Sequence, residues 1–299
     1  MAVIQAKLKG QNYWWQAEFP KVLGQNLYHC KMSPELLQEA TRLVQSTGAW
    51  ILEQQSALNE LDVHDKGLNQ LVSRVDREAE QQLADGLRKL LPGAGFITEE
   101  ATVAQQQQQA YTWIIDPLDG TTNFLHGLPM FSVSVALAKG HELQLGMVHI
   151  PALGETFTAQ RGGGAFLNNK PIRVSERGQL AQSLLATGFP YTEFAQLPVY
   201  LDVLHRLMKE TRGLRRMGSA AIDLAYTACG RFEGFFETGL APWDVAAGIL
   251  LVEEAGGLCS DFSGTANMLF GKEIIAANSS VHTSLKACIQ EHFSHEQNS

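Results

Sequence analysis

One stretch constrains the chain more than any other: Trp113-Ile114-Ile115-Asp116-Pro117-Leu118-Asp119-Gly120-Thr121-Thr122-Asn123-Phe124. Its first part, with Tyr111 and Thr112 before it, is rich in β-branched and aromatic residues and reads as a strand ending at Ile115. That strand delivers Asp116 to its C-terminal end, and Pro117 keeps Asp116 extended. Asp119-Gly120 makes a turn. Thr121, Thr122 or Asn123 can cap a short helix behind it. Two carboxylates thus flank one turn, with the free N–H groups of a helix start just beyond. Acids that hold a cation, next to N–H groups that hold a phosphate, are what metal-assisted phosphate chemistry needs. An Asp-Pro or Asp-Gly pair alone is an ordinary turn; the whole run is poorly explained that way.

The chain around this segment can bury a core. It has 299 residues, 45% of them hydrophobic and 18% charged, enough for one large domain or two modest ones. Residues 1–31 show no clear period and read as a poorly ordered extension, with Met32 an alternative start. Ser33-Pro34-Glu35 then gives an N-cap, an N1 proline and a first-turn acid. The spacing that follows predicts a helix through Leu52 and a second over 68–91. Hydrophobic runs at 131–138 and 143–150 pair naturally as a hairpin. Gly162-Gly163-Gly164 reads as a tight turn, since it lacks the Gly-Lys-Ser/Thr ending of a phosphate loop. Further helices are expected near 195–210, 219–228, 243–255 and 281–292, with a tail at 293–299. Mixed helices and strands without a long linker predict layered α and β in one domain over 32–292.

Composition narrows the function. The net charge is −8, from 23 Lys and Arg against 31 Asp and Glu, so no nucleic-acid partner is expected. No apolar run approaches the ~18–20 residues of a membrane span; the longest, 245–252, contains Gly248. Cys30, Cys229, Cys259 and Cys288 form no CxxC motif. They read as free thiols, and no secretory h-region opens the chain. A cytoplasmic protein is expected.

Further acids suit the same chemistry. Glu99 and Glu100 follow the short β-like run 95–98. Asp244 opens a helix that is apolar nearly all round and so is expected to be buried. Asp76 falls in the apolar arc of the second helix, with Val72, Ala79, Leu83 and Leu87, where a carboxylate is costly unless paired or bound. Asp85 projects from the opposite side. Glu99, Asp116, Asp119 and Asp244 could together supply oxygen ligands to hard cations such as Mg²⁺.

At this point the sequence resembles the inositol monophosphatase family of Mg²⁺-dependent, lithium-sensitive phosphatases. The resemblance rests on Thr98-Glu99-Glu100, on the run 113–124, on Trp243 to Gly248 with Glu254-Ala255-Gly256-Gly257, and on the segment 66–76. It implies an α/β fold, the αβαβα layered sandwich, usually dimeric, so a homodimer is expected. It implies that Glu99, Asp116 and the Leu118 carbonyl bind one Mg²⁺, that Asp116, Asp119 and Asp244 bind a second, and that a third ion sits at Glu99 through waters. Asp76 with Thr121 corresponds to the pair that activates the attacking water, with help from Glu99. Gly120 and Thr121 would receive the phosphate through their N–H groups. Ser219 and Ala220 match a substrate-facing stretch, and Glu237 matches an acid that accepts hydroxyl hydrogen bonds. Gln70 departs from an Asp common in the family.

The expected reaction is hydrolysis of a small phosphorylated polyol, inositol 1-phosphate first. Histidinol phosphate, another sugar phosphate or 3′-phosphoadenosine 5′-phosphate are the alternatives within phosphatases. A catalytically silent metal-binding scaffold is the alternative of another class.

Overall fold

The computed structural model describes residues 33–56, 66–106, 109–190 and 194–295, with the side chains of 66–73 and 294–295 left aside. The expectations for residues 1–31, for Cys30, and for the side chains of Gln70 and Val72 fall outside this set. Two helices come first, α1 (Pro34–Ser56) and α2 (Lys66–Leu90). They pack on a seven-stranded sheet in simple sequence order: β1 (Gly95–Thr98), β2 (Tyr111–Asp119), β3 (Ser132–Lys139), β4 (Glu142–Ile150), β5 (Glu155–Gln160), β6 (Gly164–Leu167) and β7 (Lys170–Pro171). Only β1 and β2 run parallel; the other neighbours are antiparallel.

The remaining chain builds a second sheet and four more long helices. They are β8 (Leu184–Thr187), α4 (Leu197–Glu210), β9 (Gly213–Arg215), α5 (Ala220–Ala228), β10 (Gly234–Thr238), α6 (Pro242–Glu254), β11 (Leu258–Ser260), β12 (Glu273–Ala277) and α7 (Ser279–His295). The strand order is β11-β12-β10-β8-β9. The short helix α3 (Thr121–Leu125) follows β2.

The layering follows from which side chains need cover. Successive residues of a strand point to opposite faces. On β2 to β4 that alternation divides two cores. Trp113, Ile115, Val133, Val135, Leu137, Leu145 and Met147 face the core shared with α1 and α2. Ile114, Ala136, Val148 and Ile150 face the core shared with α5 and α6. A third core joins the far face of the small sheet to α4 and α7. The order is therefore helices, sheet, helices, sheet, helices. Because α5 and α6 lie between two sheets, residues 245–252 are buried all round. Gly248 belongs there for a packing reason: a Cβ on it would lie 2.4 Å from the Cβ of Leu224 on α5.

Two expectations on boundaries are corrected. The last helix does not end at 292 but runs to His295, and Phe293 stacks edge-on to Phe262 at 5.4 Å, so the tail is shorter than expected. Strand β2 does not stop at Ile115. It continues through Pro117 because its pairing with β3 slips between Asp116 and Asp119, so the missing N–H interrupts no ladder bond. Among the described residues no helix is long and apolar enough to cross a membrane. Cys229, Cys259 and Cys288 are free thiols.

Candidate active site

The site forms where the ends of β1 and β2 meet α3, α5, α6 and β10. It is a cleft of about 380 Å³. Its walls include Glu99, Asp116, Asp119, Thr121, Asp244 and Glu237, residues drawn from a span of well over a hundred positions. Gly120 makes the corner. It holds φ +94°, and a Cβ there would lie 2.8 Å from the Met130 carbonyl oxygen. Asn123 then staples α3 to its surroundings, donating from Nδ2 to the carbonyls of Met130 at 2.6 Å and Met217 at 2.8 Å.

Each acid is held by a local device. The slip in β2 leaves Asp116 Oδ1 free to accept the N–H of Leu118 at 3.0 Å. Asp119 Oδ2 accepts the hydroxyl of Ser219 at 2.6 Å and the N–H of Ala221 at 2.8 Å, at the start of α5. Asp244, in the first turn of α6, reaches back to the N–H of Ala241 at 2.6 Å. Glu99 follows β1 and its N–H donates to the Ile115 carbonyl at 3.3 Å. Glu99 is accessible from the cleft, yet enough protein surrounds its carboxyl to matter electrostatically.

The crowding of acids is the dominant physical fact. Burial, reinforced by Glu99, Asp119 and Asp244, pushes Asp116 well above the usual carboxylate range. Burial pushes Asp244 to about 8, with Asp119 adding repulsion. It pushes Glu99 to about 7, against a hydrogen bond with Asp116 that lowers it. Asp119 rises only to about 6, because Ser219, Ala221 and Arg216 oppose the effect of burial. Carboxyl groups that hydrogen-bond to each other must share a proton. Such a set is short of positive charge, and its donors are all oxygen, the chemistry that hard divalent cations take. The residues fit Mg²⁺ on that ground. Among the described residues, however, no three acidic, histidine or cysteine side chains stand as a finished cage around one point; oxygens of Asp116, Asp119 and Asp244 are engaged by protein donors instead.

One expectation changes here. Asp76 is buried, as its place in the apolar arc of α2 predicts. Burial, with Glu100 and Glu80 nearby, raises it to about 8. Its Oδ1 has no hydrogen-bond partner, however, and the Thr121 hydroxyl donates its single proton to the Leu118 carbonyl at 3.1 Å. The expected Asp76–Thr121 hydrogen bond is therefore not formed here. Ser219 lines the cleft too, gives its proton to Asp119 and accepts the N–H of Ile222 as the N-cap of α5. Ala220 and Glu237 do line the cleft. Burial, with Asp119 close by, raises Glu237 to about 8 against the pull of Arg216.

Sequence reasoning missed four contributors. Glu80 is fully buried and accepts the N–H groups of Glu100 at 2.8 Å and Thr102 at 2.7 Å, and the Thr102 hydroxyl at 2.6 Å. It fixes the turn that carries Glu99. The signal was there: Glu80 lies four residues after Asp76, on the same helix face. Asp223 lines the cleft from α5, a helix every residue of which is buried, and its Oδ1 lacks a partner. A lone acid in so apolar a helix was the available clue. Arg216 and Phe189 join the cleft wall from loops, where no periodicity marks them.

Comparison with known proteins finds similar chains over most of the sequence. The model of the Inositol monophosphatase family matches residues 33–297. The Inositol-1-monophosphatase of Mesorhizobium japonicum is 43% identical over 231 residues, 77% of this chain and 87% of that protein. The Nus factor SuhB of Escherichia coli strain K12 is 41% identical over 259 residues, 87% of this chain and 97% of that one. The solved structure of an inositol monophosphatase from Anabaena superposes with a TM-score of 0.76 at 34% identity, over 86% of this chain and 96% of the other.

Proposed function

Since the chain belongs to the inositol monophosphatase family and is a phosphoric monoester hydrolase, we propose that this cleft hydrolyses the phosphate ester of a small polyol, inositol 1-phosphate first, with Mg²⁺. The observation that carries the reading is the convergence of Glu99, Asp116, Asp119 and Asp244 in one cleft beside the Gly120 corner.

Glu99, Asp116 and the Leu118 carbonyl would hold one ion, and Asp116, Asp119 and Asp244 a second; a third would be held at Glu99 through waters. Bound there, Mg²⁺ neutralises phosphoryl oxygens, lowers the pKa of water and stabilises a leaving alkoxide. The chain's own groups do the positioning that dominates phosphoryl transfer. Gly120 and Thr121 present N–H groups to the phosphate. Thr121, whose hydroxyl donates to the Leu118 carbonyl in this structure, offers its lone pairs to the attacking water. Glu99 takes up that water's proton. Asp76, with an oxygen lacking a donor, is the acceptor for Thr121 whenever the Leu118 carbonyl is engaged elsewhere. Ser219 acts on Asp119, holding its carboxylate in place. Ala220 and Glu237 meet the hydroxyls of the leaving group.

We place the enzyme in the cytoplasm as a homodimer, without nucleic-acid or membrane partners. The test is a phosphate-release screen with inositol 1-phosphate, histidinol phosphate and 3′-phosphoadenosine 5′-phosphate side by side in Mg²⁺. Preference for inositol 1-phosphate supports the reading. Preference for another ester moves the substrate, and release from none of them favours the silent metal-binding scaffold.

A further inference from the structure

The leaving-group end of the cleft carries an aromatic side chain that the catalytic scheme does not use. Phe189 lines the cleft and is 40% exposed, in a wall otherwise rich in carboxylates. Exposing so much aromatic surface forfeits burial, so its support is informative. The segment that presents it is held firmly. The Tyr200 hydroxyl donates to the Gly188 carbonyl at 2.6 Å. The Thr187 hydroxyl donates to the Phe236 carbonyl at 3.0 Å and lies 2.8 Å from the Tyr200 oxygen. Tyr200 itself is buried, and its ring packs on Phe236 with centroids 5.6 Å apart. A Cβ at position 188 would lie 2.1 Å from Glu237 Oε2. The Glu237 carboxylate therefore rests against the main chain immediately before Phe189. The Arg216 guanidinium stacks on the ring at 5.2 Å from its centroid.

A half-open aromatic ring next to a hydroxyl-accepting carboxylate has a recognisable use. A cyclic polyol has hydroxyls at its edge and C–H groups on its face. The edge suits Glu237, and the C–H face suits the face of an aromatic ring, which is apolar and carries partial negative charge. An acyclic polyol can offer the hydroxyls but no such face. We propose that Phe189 is a specificity-determining residue that receives the C–H face of a ring-shaped leaving alcohol while Glu237 reads its edge. The inference rests on the phosphatase reading given above and adds a selection for cyclic over acyclic polyols.

The test compares kcat/KM for inositol 1-phosphate and glycerol 2-phosphate in saturating Mg²⁺, for wild type, Phe189→Ala, Phe189→Leu and Phe189→Tyr. Thermal melting of each variant checks that it folds. The expected result is a five- to tenfold fall in the ratio of the two constants for Phe189→Ala, carried by KM for the cyclic ester. Phe189→Tyr should keep most of the ratio, and Phe189→Leu should recover less than half of the loss. An unchanged ratio in Phe189→Ala overturns the proposal. Full recovery by Phe189→Leu overturns it too, since an apolar wall would then suffice without a ring. Wild-type protein that releases phosphate from neither ester overturns the phosphatase reading and this inference with it, a result distinct from a variant that changes nothing.

Discussion

Ser219 donates its hydroxyl proton to Asp119 at 2.6 Å across a hundred residues of sequence. The bond ties the start of α5 to the end of β2. It is also why Asp119 stays closest to the ordinary carboxylate range among the crowded acids, at about 6. A hydrogen bond to a charged group contributes about 1.5–3 kcal/mol. Each 1.36 kcal/mol corresponds to one pH unit. Ser219→Ala removes stabilisation of the charged form, so Asp119 should ionise only at higher pH. The acid limb of the kcat/KM profile should move up by about one unit. A limb that stays in place would show that Ser219 does not govern Asp119.

Metal-free protein should lose stability as pH rises. Asp76, Asp244 and Glu237 have pKa values raised to about 8 in the fold, from ordinary values of 3.8, 3.8 and 4.5. Between those limits the folded chain binds more protons than the unfolded one, so unfolding free energy falls with pH. The stability these groups permit is complete below about pH 4 and is lost as pH passes through 8. Melting temperature in a chelator should decline across that window, and Mg²⁺ should restore most of it at pH 8. A flat or rising curve in chelator would refute the crowded-acid description.

Glu80 offers a test remote from the chemistry. Glu80→Gln keeps the shape but turns an amide donor toward N–H and O–H groups that are themselves donors. The expected destabilisation is about 1–3 kcal/mol, with a higher Mg²⁺ requirement because Glu99 sits on the turn that Glu80 fixes. Melting curves and Mg²⁺ titrations of activity check both parts. A variant with wild-type behaviour in each would mean that the turn holds itself.

Much of this arrangement was legible in the sequence. The segment 113–124 placed two acids at a turn, and the all-apolar helix behind Asp244 pointed to burial. What escaped has physical reasons. Proline normally ends a ladder, so β2 was read as stopping before Pro117; only the pairing slip lets it continue. Asp76 was placed by periodicity, but a one-proton hydroxyl has a choice of acceptors that spacing cannot decide, and Thr121 chose Leu118. Ser219 does line the cleft, but its bond to Asp119 spans a hundred residues and no local pattern marks it. Phe189 and Arg216 lie outside any periodic element, and nothing local brings them to the cleft.

Glu237→Gln separates substrate reading from metal binding. Above about pH 8, where Glu237 is ionised, a neutral amide is a weaker acceptor, and the loss of a charged hydrogen bond corresponds to roughly ten- to over a hundredfold. The variant should lose that much kcat/KM on inositol 1-phosphate while an aryl phosphate without hydroxyls is spared. Equal losses on both, or a changed Mg²⁺ requirement alone, would remove Glu237 from the hydroxyl-reading role.

The central claim is that the four converging acids make hydrolysis depend on a divalent cation. It is tested most directly by phosphate release from inositol 1-phosphate by metal-stripped protein, titrated with Mg²⁺, with Asp116→Asn measured in parallel. The account predicts almost no release without Mg²⁺, a saturable return with it, and at least a hundredfold loss in Asp116→Asn at any Mg²⁺ concentration. Undiminished release in excess chelator, or an Asp116→Asn variant as active as the parent, would contradict it.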